Sequence, residues 1–161
     1  MQYSLRQWGN RLFERQRGEN VPTVSATAVG GGKGVVRSRD GQLSMVFAPL
    51  PSSSVDTSPR GIAPENIFAC AYAACFGALV EGFVRRQDAV PERIEVTATV
   101  GMEKTFLSYF GQEPSLDVEL DVRLRGVSRE IAAAAVADAH RHCPYSIAMR
   151  GNVAVRLYLC P

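Results

Sequence analysis

The chain has 161 residues, 46% of them hydrophobic and 21% charged, with a formal charge of +2. A domain of this size buries roughly two thirds of its unfolded surface, which excludes a disordered chain and removes any need for a disulfide scaffold. The small net charge leaves no electrostatic footprint for nucleic acid or an acidic membrane, and the sequence shows neither an apolar run approaching ~20 residues nor a secretory leader.

The expectation is therefore a cytoplasmic protein, without nucleic-acid or membrane partners, built as a basic extension over 1–20 and one domain over 21–161. In the extension, Leu5, Trp8 and Leu12 recur at helical spacing among Arg6, Arg11, Arg15 and Arg17, which predicts a short amphipathic helix. An Arg-rich organellar presequence is the alternative, opposed by Glu14 and Glu19. Thr23 to Val29 and Val35 to Ser38 alternate as strands around the glycine run Gly30-Gly31-Gly32-Lys33-Gly34, read as a hairpin loop because no GK[ST] ending or helix follows it. Asp40-Gly41 predicts a two-residue hairpin into a strand from Leu43 to Phe47. A Pro- and Ser-rich loop over 49–63 leads to a helix from Pro64 to about Gln87, with Glu65 beside its positive N-terminal end. Residues Ile67 to Val80 are apolar almost all round, which predicts a helix buried on most sides.

Arg93 to Lys104 and Leu116 to Leu124 alternate as strands; the second sets Leu116, Val118, Leu120, Val122 and Leu124 against Asp117, Glu119, Asp121 and Arg123. Ser128 caps a second, alanine-rich helix that Pro144 stops, and Asn152 to Leu159 is the last strand. The fold class is α+β, with antiparallel sheets, a long buried central helix and a second helix.

Four cysteines in a chain without an export signal are core residues, metal ligands or redox thiols. Cys70 fits inert packing: it lies about 140° around the helix from Cys75, so the two cannot bridge. Cys160 lies beside the chain end as a bystander. Cys143 stands apart, before Pro144 and flanked by His140, His142 and Tyr145. Zinc held by His140, Cys143 and Cys75 is a rival reading that lacks any CxxC, and a Cys–His proteolytic dyad lacks an orienting third group. The two histidines themselves read as solvated helix-end residues.

The segments APENIFACAYAACFGAL (63–79) and AHRHCPYSIAMRGNVAV (139–155) resemble the organic hydroperoxide resistance (Ohr) branch of the OsmC/Ohr family, and RDGQLSMVF (39–47) also fits. The resemblance runs from about Val21 to the end of the chain. It implies an intertwined homodimer and a cofactor-free, metal-free thiol peroxidase. Cys75 would attack an organic hydroperoxide and become a sulfenic acid. Cys143 would close a disulfide with it, and a dithiol such as a lipoylated protein would reopen that bond. Attack needs a thiolate, and trapping the sulfenic acid before overoxidation needs a second thiol within reach. An apolar pocket of Phe68, Tyr72, Phe76, Phe106 and Phe110 would select organic peroxides.

The family's activating arginine falls on Gly32 here, while the glutamate that holds it is matched by Glu65. Lys33 is the nearest replacement cation, with Arg60 and Arg37 as others. Lysine supplies charge without arginine's bidentate fork. Two alternatives to the enzyme follow: an Ohr-like redox sensor or weakly active thiol protein, and a non-catalytic module binding hydrophobic ligands.

Overall fold

The computed structural model describes residues 23–30, 34–47, 61–103 and 115–161. The expected N-terminal helix, Gly32, Lys33, Arg60, Phe106 and Phe110 lie outside the described residues. The chain forms two compact units, residues 1–48 and 49–161.

In the first unit, β1 (Ala26–Val29), β2 (Val35–Ser38) and β3 (Ser44–Val46) form an antiparallel sheet in that order. Val29 pairs with Val35, and Val35 with Val46. Gly34 is needed here, because a Cβ at that position would collide with the Val29 carbonyl. The turn after β2 is longer than the expected two residues. Ser38 and Leu43 face each other through Ser38 N–H to Leu43 O (2.9 Å) and Leu43 N–H to Ser38 Oγ (3.0 Å). The Asp40 carboxylate accepts from the Ser38 hydroxyl (2.5 Å) and Gln42 N–H (3.1 Å), and these bonds hold its pKa below the ordinary value. Asp40 thus closes an Asx-type turn on its own neighbours, and Gly41 takes φ +74°.

The second unit begins with α1 (Pro64–Arg85). Pro64 pushes Ala63 to an extended conformation (ψ 150°), and the Asn66 side chain accepts from Ala63 N–H at 3.0 Å to finish the cap. Tyr72, Phe76, Val80 and Val84, four residues apart, are fully buried. Burying each such side chain is worth about 1.5–3 kcal/mol. Contrary to the expectation that no apolar run approaches a membrane span, this 22-residue helix is long and apolar enough to cross a membrane on length and composition alone. Its buried stripe instead packs in a core with Val118, Leu120, Val122, Ala135 and Ala139. The expectation of burial on most sides is not met within this chain: Cys70, Ala74, Ala78 and Gly82 form an exposed stripe. Small side chains there are apolar, yet they point away from the core.

Strands β4 (Arg93–Glu103) and β5 (Ser115–Arg125) pair antiparallel over their full length, from Arg93↔Arg125 to Glu103↔Ser115. The alternation in β5 resolves as expected, with Val118, Leu120 and Val122 fully buried. Gly126 takes φ +82°, and a Cβ there would stand 2.5 Å from Glu92 Cγ and 2.8 Å from Glu92 N. That closeness lets Glu92 N–H donate to Arg125 O at 2.8 Å.

Ser128 caps α2 (Arg129–His142), its Oγ accepting from Ile131 N–H at 3.3 Å. Pro144 ends α2 and also opens a further short helix, α3 (Pro144–Met149), absent from the sequence expectation. Strand β6 (Val155–Leu159) completes the order β4-β5-β6 and runs parallel to β5, with Leu120 opposite Leu157. The α2–α3 crossover returns the chain to the starting end of β5, as a parallel pair requires. On the outer face, Arg156 grips Asp117 with two bonds of 2.7 Å, which holds that carboxyl below its ordinary pKa. The α+β class with a long helix and a second helix holds, with one parallel strand pair.

Candidate active site: a thiol pair at a helix junction

The site forms where α1 meets the α2–α3 junction. A residue before proline is disfavoured in the α region. Cys143 accordingly takes ψ 124°, still closing α2 through its N–H to Ala139 O (2.8 Å) while its carbonyl accepts from Ile147 N–H (2.9 Å). This break turns the Cys143 side chain fully into the core. Cys75 sits half-buried on α1, beside the buried stripe. The two sulfurs stand 3.8 Å apart, within hydrogen-bonding range for thiols. Both thiols are free. A disulfide bond is about 2.05 Å long, so a small side-chain movement joins them.

Burial pushes the Cys75 thiol up from its ordinary pKa, and the hydrogen bond and charge of Cys143 push the same way. No cationic side chain among the described residues offsets this rise. Glu65 lies in the first turn of α1, ten residues before Cys75 and so about 15 Å along the axis. It does not reach the thiol. Arg37 is exposed on β2, where its Nε donates to Ser44 Oγ at 3.3 Å.

Phe68, Tyr72, Phe76 and Tyr145 form an aromatic cluster around the pair, with ring centroids 5.7–6.2 Å apart. Phe68 is half-buried, whereas Tyr72 and Phe76 are fully buried. Each aromatic pair of this kind adds about 0.5–1.5 kcal/mol beyond its buried area.

The structure also supplies polar groups that sequence reasoning missed. Ser146 is buried, with its Oγ 2.6 Å from the Tyr72 hydroxyl and 3.1 Å from His140 Nδ1. His140 is therefore not a solvated helix-end residue. Burial, aided by the Arg150 charge, lowers its pKa from the ordinary histidine value. His142 does face solvent, stacking on Phe83 at 5.2 Å while its Nδ1 meets Asp138 O at 2.8 Å. The available signal was the three-residue spacing of His140, Cys143 and Ser146, which a proline break made hard to place on one face.

The other two cysteines are removed from the pair. Cys70 is exposed, which corrects the expectation of a packing role, and Cys160 has its Sγ 3.7 Å from Asp121 Oδ1 on the outer sheet face. Among the described residues, no group of three or more His, Cys, Asp and Glu side chains is placed to hold a metal ion.

Residues 56–157 match the family model described as OsmC-like protein. The chain is 37% identical over 135 residues to organic hydroperoxide resistance protein OhrA of Bacillus subtilis, covering 84% of this chain and 93% of that one. The chain belongs to the Ohr branch of the OsmC/Ohr family.

Other members agree over nearly the same span. An organic hydroperoxide resistance protein-like 1 of Staphylococcus saprophyticus is 33% identical, over 83% of this chain and 92% of its own length. Among solved structures, OhrB of Bacillus subtilis superposes with TM-score 0.74 at 35% identity, covering 86% of this chain and 98% of that chain. An organic hydroperoxide resistance protein of Legionella pneumophila gives TM-score 0.77 at 33% identity, covering 89% and 100% respectively. The core and the thiol pair of this chain are thus set in an OsmC/Ohr fold, with the Ohr-type segments carrying Cys75 and Cys143.

Proposed function

We propose that the chain is a thiol-dependent peroxidase that reduces organic hydroperoxides. The observation that carries this reading is the 3.8 Å approach of Cys75 and Cys143 inside an apolar, aromatic-lined junction. The Cys75 thiolate attacks one peroxide oxygen and the O–O bond breaks, giving Cys75 sulfenic acid and, after protonation, the alcohol. The Cys143 sulfur then displaces hydroxide, which leaves as water with the thiol's proton, and a Cys75–Cys143 disulfide forms. A dithiol such as a lipoylated protein reduces it by two exchanges. Cys75 takes the attacking role because it is the more accessible of the two sulfurs. The names of the Ohr relatives support a peroxide substrate.

The remaining parts of the proposal concern charge and assembly. Burial alone disfavours the Cys75 thiolate, so a cation must reach it; Lys33, Arg60 and Arg37 are the candidates, with Glu65 as the anchor for one of them. We assign the chain to the cytoplasm, where thiols are kept reduced. A homodimer is supported by the exposed stripe Cys70, Ala74, Ala78 and Gly82 and by an open groove beside it lined by Ala73, Gly77, Ile94 and Val96. A second copy of α1 would cover both. Phe106 and Phe110 would extend the apolar pocket begun by Phe68.

The test is thiol loss after one equivalent of cumene hydroperoxide. Wild type should lose two thiols rapidly, Cys75→Ser should be inert, and Cys143→Ser should turn over once and then overoxidise. Equally slow wild type and Cys75→Ser would overturn the peroxidase. A second reading, a weakly active or redox-sensing Ohr-like protein, is favoured by Gly32 at the arginine position and by the raised Cys75 thiol. It predicts slow but Cys75-dependent thiol loss.

A further inference from the structure

The bend at Cys143 brings together two residues that an unbroken helix would keep apart. On a continuous helix His140 and Ser146 would be separated by about 9 Å of rise and would face about 120° apart. Here Ser146 Oγ stands 3.1 Å from His140 Nδ1, so their bond spans the bend and fixes the angle at which α2 meets α3. Cys143 is the residue at that bend. The same Ser146 Oγ stands 2.6 Å from the Tyr72 hydroxyl, with Tyr72 fully buried and Ser146 nearly so. Tyr72 precedes Cys75 by three residues, close to one turn along α1 and on the same side of it. One serine thus ties all three helices together, and each tied residue lies three positions from a thiol. We propose that Tyr72, Ser146 and His140 are positioning residues that hold the Cys143 sulfur against Cys75 for disulfide closure.

The tie acts through the backbone: its polar groups bond to one another, and each helix carries its own thiol with it. The Ser146 hydroxyl has one hydrogen and two lone pairs, enough to donate to one partner and accept from the other. Removing either outer partner leaves that hydroxyl underbonded in the core, and a buried hydroxyl short of a partner draws its helix toward a new one. If α3 shifts, Cys143 shifts at the bend; if α1 shifts, Cys75 goes with it. Apolar packing of Tyr72 and Phe76 sets the depth of α1 in the core but has no direction of its own. The 2.6 Å bond adds that direction, and the two sulfurs meet at 3.8 Å across the same junction. Held so, Cys143 presents a high effective concentration to Cys75, because the ordering is done on folding rather than on closure.

The tie rests on the pairing proposed for Cys75 and Cys143, but it can be tested without peroxide. In a Cys70→Ser/Cys160→Ser background the protein is equilibrated with glutathione and glutathione disulfide. Closure forms the Cys75–Cys143 bond and passes two electrons and two protons to glutathione disulfide, which becomes two glutathione thiols. Alkylating the remaining protein thiols gives the oxidised-to-reduced ratio, and with it the effective concentration of the pair. A misplacement of about 1 Å can cost about a hundredfold, so Tyr72→Phe, Ser146→Ala and His140→Ala should each lower the ratio at least about fivefold. Adding Tyr72→Phe to Ser146→Ala should lower it no further, because their shared bond is already gone. Gly126→Ala controls for stability alone: it strains the chain just after β5, beside Glu92, and should leave the ratio within twofold of the parent. A ratio within twofold of the parent in any of the three, or an equal fall in Gly126→Ala, overturns the tie. If Ser146→Ala fails to fold by near-ultraviolet circular dichroism, Tyr72→Phe and His140→Ala decide. A parent that forms no such disulfide overturns the pair and the tie together. The expected ratios without consumption of cumene hydroperoxide would overturn the peroxidase alone.

Discussion

Cys75 and Cys143 face each other at 3.8 Å across 68 residues of sequence, and neither position depends on the contact between them. Cys75 is placed by the burial of Tyr72, Phe76 and Val80 at four-residue spacing on α1, and Cys143 by the backbone break that Pro144 imposes. The pair is preorganised before any bond forms. Closing it cross-links a long loop, which stabilises by about 4 kcal/mol through the unfolded state. Denaturant midpoints of the oxidised and reduced protein should differ accordingly, and Cys143→Ser should show no such difference.

The Tyr72–Ser146 bond joins α1 to α3 in a buried setting, so its two partners should be energetically coupled. Tyr72→Phe or Ser146→Ala should each cost about 1–3 kcal/mol by leaving a buried polar group short of a partner. The double variant should lose less than the sum, by roughly 0.5–1.5 kcal/mol, in a urea-unfolding double-mutant cycle.

Stability should fall on the acid side because of His140. Its folded pKa is lowered by burial and then by Arg150, so the unfolded chain binds the proton more readily. The stability associated with neutral His140 is complete above the unfolded value of about 6.5 and is lost as pH falls through the lowered folded value. His140→Gln should flatten that part of the stability profile, measured by urea midpoints between about pH 7.5 and about pH 5.

The proposed dimer has a direct test on α1. Ala74 and Ala78 are exposed there at a spacing of four residues, one above the other on a helix face. Ala74→Arg or Ala78→Arg should shift sedimentation equilibrium from two copies to one, while far-ultraviolet circular dichroism stays unchanged. A wild type that already sediments as a monomer would overturn the dimer.

Gly126 should tolerate no side chain. At φ +82°, with Glu92 Cγ 2.5 Å and Glu92 N 2.8 Å from a built Cβ, Gly126→Ala combines backbone strain with a clash. The expected loss is about 1–3 kcal/mol, measured as a lowered thermal midpoint.

The sequence was most legible where one element's own periodicity meets one surface. The alternation from Leu116 to Leu124 identified both faces of β5, and the apolar run after Pro64 located α1 to within two residues of its end. Asp40-Gly41 was less legible, because Asp40 satisfies its carboxylate on Ser38 and Gln42 and so lengthens the turn. The parallel placement of β6 was not legible either, since strand direction depends on where the α2–α3 crossover delivers the chain.

For the site, the sequence by itself determined the two thiols, their separate helical segments and the proline that breaks the second helix. Those are local matters of residue type, spacing and backbone sterics. Only the tertiary structure decided that the sulfurs meet, that Cys70 faces outward, and that Ser146 links Tyr72 to His140. Such contacts join residues up to 74 positions apart, and they follow from how α1 and the α2–α3 junction bury their apolar faces together. A hydroxyl in Ser146 is ordinary in a sequence; only the fold encloses it between Tyr72 and His140.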